Sequence, residues 1–154
     1  MQKTNLSIEL DGKTYNGFDF AGLPLAAATQ VACRQIDQAA DTARRAVLGD
    51  TLRALEYQLT AQEATAFAAA DYSGDVPPTV QAWMDAANLE AKPATDSILA
   101  EAAAWKKALY ELRALRLKGK QDVLKEATHD AVESIADVAI KAIHASVQGI
   151  GNAA

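Results

Sequence analysis

From Ile98 the apolar residues Ile98, Ala102, Trp105, Leu109 and Leu112 follow one another at alternating steps of four and three. An α-helix brings residues at that spacing onto one narrow stripe, and in water such a stripe is covered by other helices. The stretch 94–120 therefore predicts a helix with a coiled-coil-like seam, in a chain built around helix packing. Arg116 and Gly119 fall at the next two seam positions before Val123 resumes the register, so the contact is expected to loosen, bend or change partner there. Ala131, Ile135, Val138, Ala142 and Ala145 keep the spacing on a shifted phase, which a stutter near Ala127 would produce. A helix persisting from Asp96 to about Val147 would be roughly 75 Å long at about 1.5 Å per residue. One compact domain of this size does not cover such a helix, so its distal part either folds back or projects into a partner.

Upstream, Leu25, Ala28, Ala32, Ile36, Ala39, Ala43 and Val47 form the inward stripe of a first helix. Gly49, Asp50 and Thr51 supply a stop and a new N-cap. Leu52, Leu55, Leu59, Ala66, Phe67 and Ala70 then mark the apolar stripe of a second helix. An internal capping box, Thr60 to Glu63, could split it, but the stripe runs through and favours one continuous helix. "DYSGDVPP", residues 71–78, is a loop whose prolines lead into a short helix around Val80 to Asn88, anchored by Trp83 and Met84. "EAKP" breaks the chain again before Thr95 caps the long helix, with Asp96 in its first turn.

The first residues read differently. Over 6–20 the chain alternates in the strand manner, with Ile8 and Leu10 on one face, Asp11-Gly12 as a type I′ turn, and Lys13, Thr14 and Tyr15 returning. A lone two-stranded hairpin is marginal in water, so it packs on the helices, adds to another sheet, or remains a flexible arm. The expected fold is mainly α: a short N-terminal β-hairpin followed by a helical bundle with one long C-terminal helix. The expected division is a hairpin arm over 1–22, a bundle over 23–127, and a C-terminal helical extension over 128–154 that ends in the frayed tail "GIGNAA".

Composition narrows the function. Half of the 154 residues are hydrophobic, but Ala dominates them and aromatics make up 6%, so each helix buries little apolar area and the protein is expected to need partners. The net charge of −5 argues against generic binding to nucleic acid or an anionic membrane, both of which reward a basic face. The lone Cys33 allows no intramolecular disulfide and no CxxC motif, suits a reducing compartment, and reads as a small buried apolar side chain. There is no apolar run of the roughly 18 residues that a membrane span needs, and "MQKTNLSIELDGK" lacks a signal-peptide core. A soluble, cytoplasmically made protein is expected.

Candidate chemistry is thin. Glu126 and His129 in "EATH" would face the same way on a helix, as in half of a di-iron carboxylate site, but Lys141 precedes His144 where the second half would need a carboxylate. Nucleophile-elbow, phosphate-loop, dinucleotide and zinc-helix motifs are absent, so no catalytic residue, metal or cofactor is expected. A helical enzyme or metal protein around Glu126 and His129 is the rival from another class. Tyr57, Phe67, Tyr72, Trp83, Trp105 and Tyr110 are spread as one shared core would spread them. The strongest signal is basic: Lys106, Arg113 and Lys120 lie seven apart beside the seam, Glu101 and Asp122 lie on its other edge, and Lys107, Arg116 and Lys118 add to the patch. The candidate protein interface is therefore Ile98, Trp105, Leu109 and Leu112, flanked by Lys106, Arg113, Arg116 and Lys120.

The segments "QIDQAADTAR", "LEYQLTAQEATAF", "YSGDVPP" and "ILAEAAAWKKALYELRALRLKGK", in that order, resemble small Ala-rich helical proteins encoded with the tail genes of tailed bacteriophages. The resemblance covers about residues 34–125, and this chain adds a further helix beyond Ala127. It implies a non-enzymatic component of the tail tip, baseplate or fibre attachment, made in the host cytoplasm and carried in the virion. Its partners would be other tail proteins and further copies of itself. A tail-fibre assembly chaperone absent from the mature virion and a phage-encoded inhibitor of a host protein are the alternatives.

Overall fold

The computed structural model describes residues 1–49 and 51–148. The element order is β1 (Leu6–Leu10), β2 (Lys13–Phe18), a single 3-10 turn at Phe20–Gly22, then α1 (Leu25–Leu48), α2 (Thr51–Ala69), α3 (Pro78–Ala87), α4 (Ala91–Val123) and α5 (His129–Ser146). The chain is thus mainly helical with an N-terminal antiparallel hairpin, as its periodicity implies. The tail 149–154 and Asp50 of the expected N-cap lie outside the described residues.

Two compact units share these elements. Among the described residues the first joins Met1–Ala46 to 109–148, and the second is built from Val47–Ala108. The expected boundaries near 22 and 127 do not follow this packing, because the hairpin and α5 both belong to the first unit's core.

In that unit Asp11 and Gly12 both take positive φ, 51° and 74°, the pair of angles a type I′ turn demands. Leu6 and Ile8 point inward beneath β1 and are buried with Phe20 and Leu23, so the hairpin is a packed lid and not an arm. Lys3 reinforces it by pairing with Glu133 on α5. The α1 stripe holds as expected: Ala28, Ala32, Ile36, Ala39 and Ala43 are buried, and Leu25 packs at their edge.

The long helix does not run through to Val147. Its last turn closes with backbone bonds from Leu124 to Lys120 and from Lys125 to Asp122, after which Thr128 caps α5 by accepting the Ala131 N–H. Asp130 in the first turn suits that helix N-terminus. The signal was a Thr N-cap followed by an acid, not a stutter, and α5 folds back into the same core. Its buried stripe is Val132, Ala136, Ala139 and Ile143, out of step with the expected Ala131, Ile135, Val138, Ala142 and Ala145. Val138 is exposed.

Gly119 reverses its expected role. A Cβ built there would lie 2.6 Å from the Cβ of Ala139 and 3.5 Å from Cδ1 of Ile36. The seam is at its tightest at this point, where α4 meets α5 and α1 at a distance only glycine permits.

The second unit is small. Ala64, Val80 and Ala94 are fully buried, and Trp83, Met84, Leu89, Ile98 and Leu99 pack around them. Glu63 of α2 accepts from the Thr79 N–H at 3.1 Å and from its hydroxyl at 2.7 Å, capping α3 where Pro77 offers no side-chain acceptor. The α4 helix starts at Ala91, earlier than Thr95, because Pro93 sits in a first turn whose N–H groups need no helical partner. Thr95 is accordingly an interior residue, fully buried, donating to the Ala91 carbonyl at 2.7 Å. Asp96 instead receives Tyr72 Oη and Lys92 Nζ, each at 2.6 Å.

Gly119→Ala is expected to lower stability by up to about 2 kcal/mol in urea denaturation, because overpacking of about 1–3 kcal/mol outweighs the gain of about 1 kcal/mol in helix propensity. Ala139→Gly in the same chain should recover part of the loss. A net stabilisation by Gly119→Ala would show that the crossing is looser.

Candidate protein-interaction surface

The expected interface residues divide by burial. Leu112 is fully buried in the first unit, and Leu109 is half-buried. Ile98 packs against the second unit's core, and half-buried Trp105 meets Tyr57 edge-on at 4.7 Å between centroids. The apolar seam is therefore covered by the chain's own helices.

The basic flank also divides. Arg116 Nη1 donates to Asp37 Oδ1 at 2.9 Å and Lys120 Nζ donates to Oδ2 at 2.6 Å, so one turn of α4 grips a single carboxylate on α1. Partial burial pushes the Asp37 carboxyl upward, but the hydrogen bonds from Lys120 and Arg116 prevail and hold it below the usual carboxylate range. Lys118 pairs with Asp122 one turn along the same helix. Lys106 and Arg113 are exposed. The six cations thus form no single docking patch.

Other candidates are absorbed by structure. His129 Nε2 lies 2.8 Å from the Leu23 carbonyl and its ring meets Phe20 edge-on at 6.0 Å. A carbonyl only accepts, so that nitrogen carries the proton. Glu126 sits in the link before α5, not on a helix face shared with His129. Among the described residues no group of three or more His, Cys, Asp or Glu is placed to hold a metal ion, and no helix is long and apolar enough to cross a membrane. Cys33 is half-buried at the edge of the first core, where desolvation raises its thiol pKa. The aromatics make local pairs, Tyr57 with Trp105 and Phe67 with Tyr72, and Tyr110 is 63% exposed, so they do not share one core.

The surface that periodicity placed wrongly is on α2. Its expected inward stripe points outward: Leu52, Leu55 and Leu59 are 72%, 59% and 50% exposed, and Ala66 and Ala70 are exposed as well. The helix carries two apolar faces, and the one bearing Tyr57, Ala64 and Phe67 is turned inward. Aromatic side chains bury more area than leucines, which favours that choice. On the outer face Gln58, Ala61, Gln62, Thr65, Ala66 and Ala69 line a shallow, open, apolar depression. The outward row 52, 55, 59, 62, 66 and 69 itself follows steps of three and four.

A second outward row runs along α4, through Lys107, Tyr110, Ala114, Leu117 and Gln121 to Leu124 in the turn that follows. Leu117 is 41% and Leu124 58% exposed. Exposed leucines in rows, as distinct from scattered ones, mark surfaces that other proteins cover. No family model, no curated protein and no solved structure matches the chain.

The Asp37 clamp gives a pH dependence with a definite sign. Because its folded pKa is depressed, its stabilisation is present above the ordinary carboxylate pKa and is lost as pH falls through the folded value. Asp37→Asn should therefore be less stable than the native chain at neutral pH, with the gap closing between about pH 5 and pH 2. Urea melts of both proteins across that range read this directly, and a gap independent of pH would show that the clamp contributes no charge-dependent stability.

Proposed function

We propose that the chain is a non-enzymatic structural component of a bacteriophage tail, at the tail tip, baseplate or fibre attachment, working through helix-mediated protein contacts. The observation that carries the binding part of this reading is the exposed leucine row of α2. A chain whose helices are rich in Ala has little apolar area to spare, and leaving three leucines in water is costly unless a partner covers them. The resemblance of segments within 34–125 to small tail-encoded helical proteins supplies the tail setting.

The contact surface in this reading has moved from the inner seam of α4 to the outer faces of α2 and α4. Arg113, exposed beside the outer row of α4, keeps its expected place at an interface. Ile98, Trp105, Leu109, Leu112, Arg116 and Lys120 act one step back, by holding the helices that carry these faces.

Mass spectrometry of purified virions from the phage that encodes the chain tests the reading. Peptides at a fixed ratio to the other tail proteins are expected. Absence from virions, with the chain recovered on unassembled fibres in infected-cell lysate, would replace it with the assembly-chaperone alternative.

A further inference from the structure

We propose that the exit of α2 is a latched strap: Tyr72, tied to Lys92 and Asp96 in the first two turns of α4, holds residues 70–73 in a strained stop, and its release lets α2 run on by about one turn. This goes beyond the tail reading and does not depend on it. The chain leaves α2 through the backbone bonds of a Schellman turn. The Tyr72 N–H donates to the Phe67 carbonyl at 3.0 Å, and the Asp71 N–H donates to the Ala68 carbonyl at 3.1 Å. Such a turn needs one left-handed residue, ordinarily a glycine. Asp71 takes that place with φ 52°, and Tyr72 follows with φ 56°. A β-carbon makes both angles unfavourable, most of all under a bulky side chain, and strain of this kind persists only where neighbouring groups fix it.

The fixing groups converge on one side chain. Tyr72 Oη donates to Asp96 Oδ1 at 2.6 Å and accepts from Lys92 Nζ at 3.3 Å, while Nζ stands 4.3 Å from the ring centroid. Lys92 also pairs with Asp96 at 2.6 Å, and the Tyr72 ring meets Phe67 edge-on at 6.0 Å. Without these ties, local preference points to more helix. Ala68, Ala69 and Ala70 are of the residue type with the highest helix propensity, and Gly74 is the first strong breaker after them.

The chain has room to follow. Thr79 is held to Glu63, and the rise from the level of Glu63 to that of Ser73 in a lengthened α2 is about 15 Å at about 1.5 Å per residue. The chain from 73 to 79 reaches about 20 Å when extended. Asp71 opposes the longer form, because its charge would lie at the negative end of the helix. Opposed contributions of this kind leave the choice to the latch. Its release would lengthen the helix that displays Leu52, Leu55 and Leu59.

Solution NMR of the full chain tests this, from the amide–Hα couplings at 71 and 72 and from contacts between Hα of Ala68 and Ala69 and the amides four residues on. The native chain should show left-handed couplings at both positions and lack those contacts. Lys92→Ala combined with Asp96→Ala should lose the couplings and gain the contacts, with helical content by circular dichroism rising by about four residues. Tyr72→Phe, which keeps the ring and removes the hydroxyl, should populate both forms. Asp71→Gly is relaxed in the left-handed region, so it should raise the folding equilibrium constant about five-fold and restore the latched form in the Lys92 and Asp96 variant. Helical couplings at 71 and 72 in the native chain would overturn the proposal. So would latch variants in which 71–73 stay left-handed or become disordered, or an Asp71→Gly chain less stable than the native one. If the double variant fails to fold, Asp96→Asn puts the same question with the side-chain shape preserved.

Discussion

The first unit depends on the close approach of α4 to α5 and α1 at Gly119. With no side chain at that position, Ala139 and Ile36 close onto the α4 backbone. The neighbouring residue of α1, Asp37, is thereby within reach of Arg116 one turn before the crossing and of Lys120 just after it. A larger residue at 119 would separate the helices and lengthen both ion pairs. Steric and electrostatic contributions here are one arrangement, and dispersion contacts among small side chains compensate for the scarcity of large ones.

This arrangement accounts for how an Ala-rich chain holds together. Alanine buries little area but lets helices approach closely, so each contact gains in packing what it lacks in size. The second unit has less of this. Its fully buried apolar cluster is Ala64, Val80 and Ala94, and it relies on polar ties such as Glu63 to Thr79 and Trp83 to Ser97 at 2.9 Å. A unit with so modest a core also displays Leu52, Leu55 and Leu59, and a partner covering them would add to its stability.

Periodicity revealed the elements better than their facing. Strong local chemistry was legible: the Asp11-Gly12 turn, the α1 stripe and the proline entry to α3 follow from rules that act within a few residues. Facing failed where a helix offered two stripes, as in α2, because the choice between Leu52-Leu55-Leu59 and Tyr57-Ala64-Phe67 is made by what lies opposite. The same held for α5, whose inward row lies beside the expected one. Thr128 is a legible N-cap that the continuous heptad spacing outweighs, and Pro93 resembles a breaker although a first-turn proline is an initiator. Of the interface residues, the seam was legible as a seam, but its partner turned out to be the same chain. That Arg116 and Lys120 converge on Asp37, some 80 positions earlier, has no local signature.

The central claim is that the inner seam of α4 is satisfied within the chain while the leucine row of α2 is left exposed. Amide hydrogen exchange of the isolated protein separates these elements by residue. The expected result is slow exchange across α5 and the Gly119 crossing, with markedly faster exchange across 52–69 of α2. Fast exchange across α5, or protection of α2 equal to that of α5, would contradict the account.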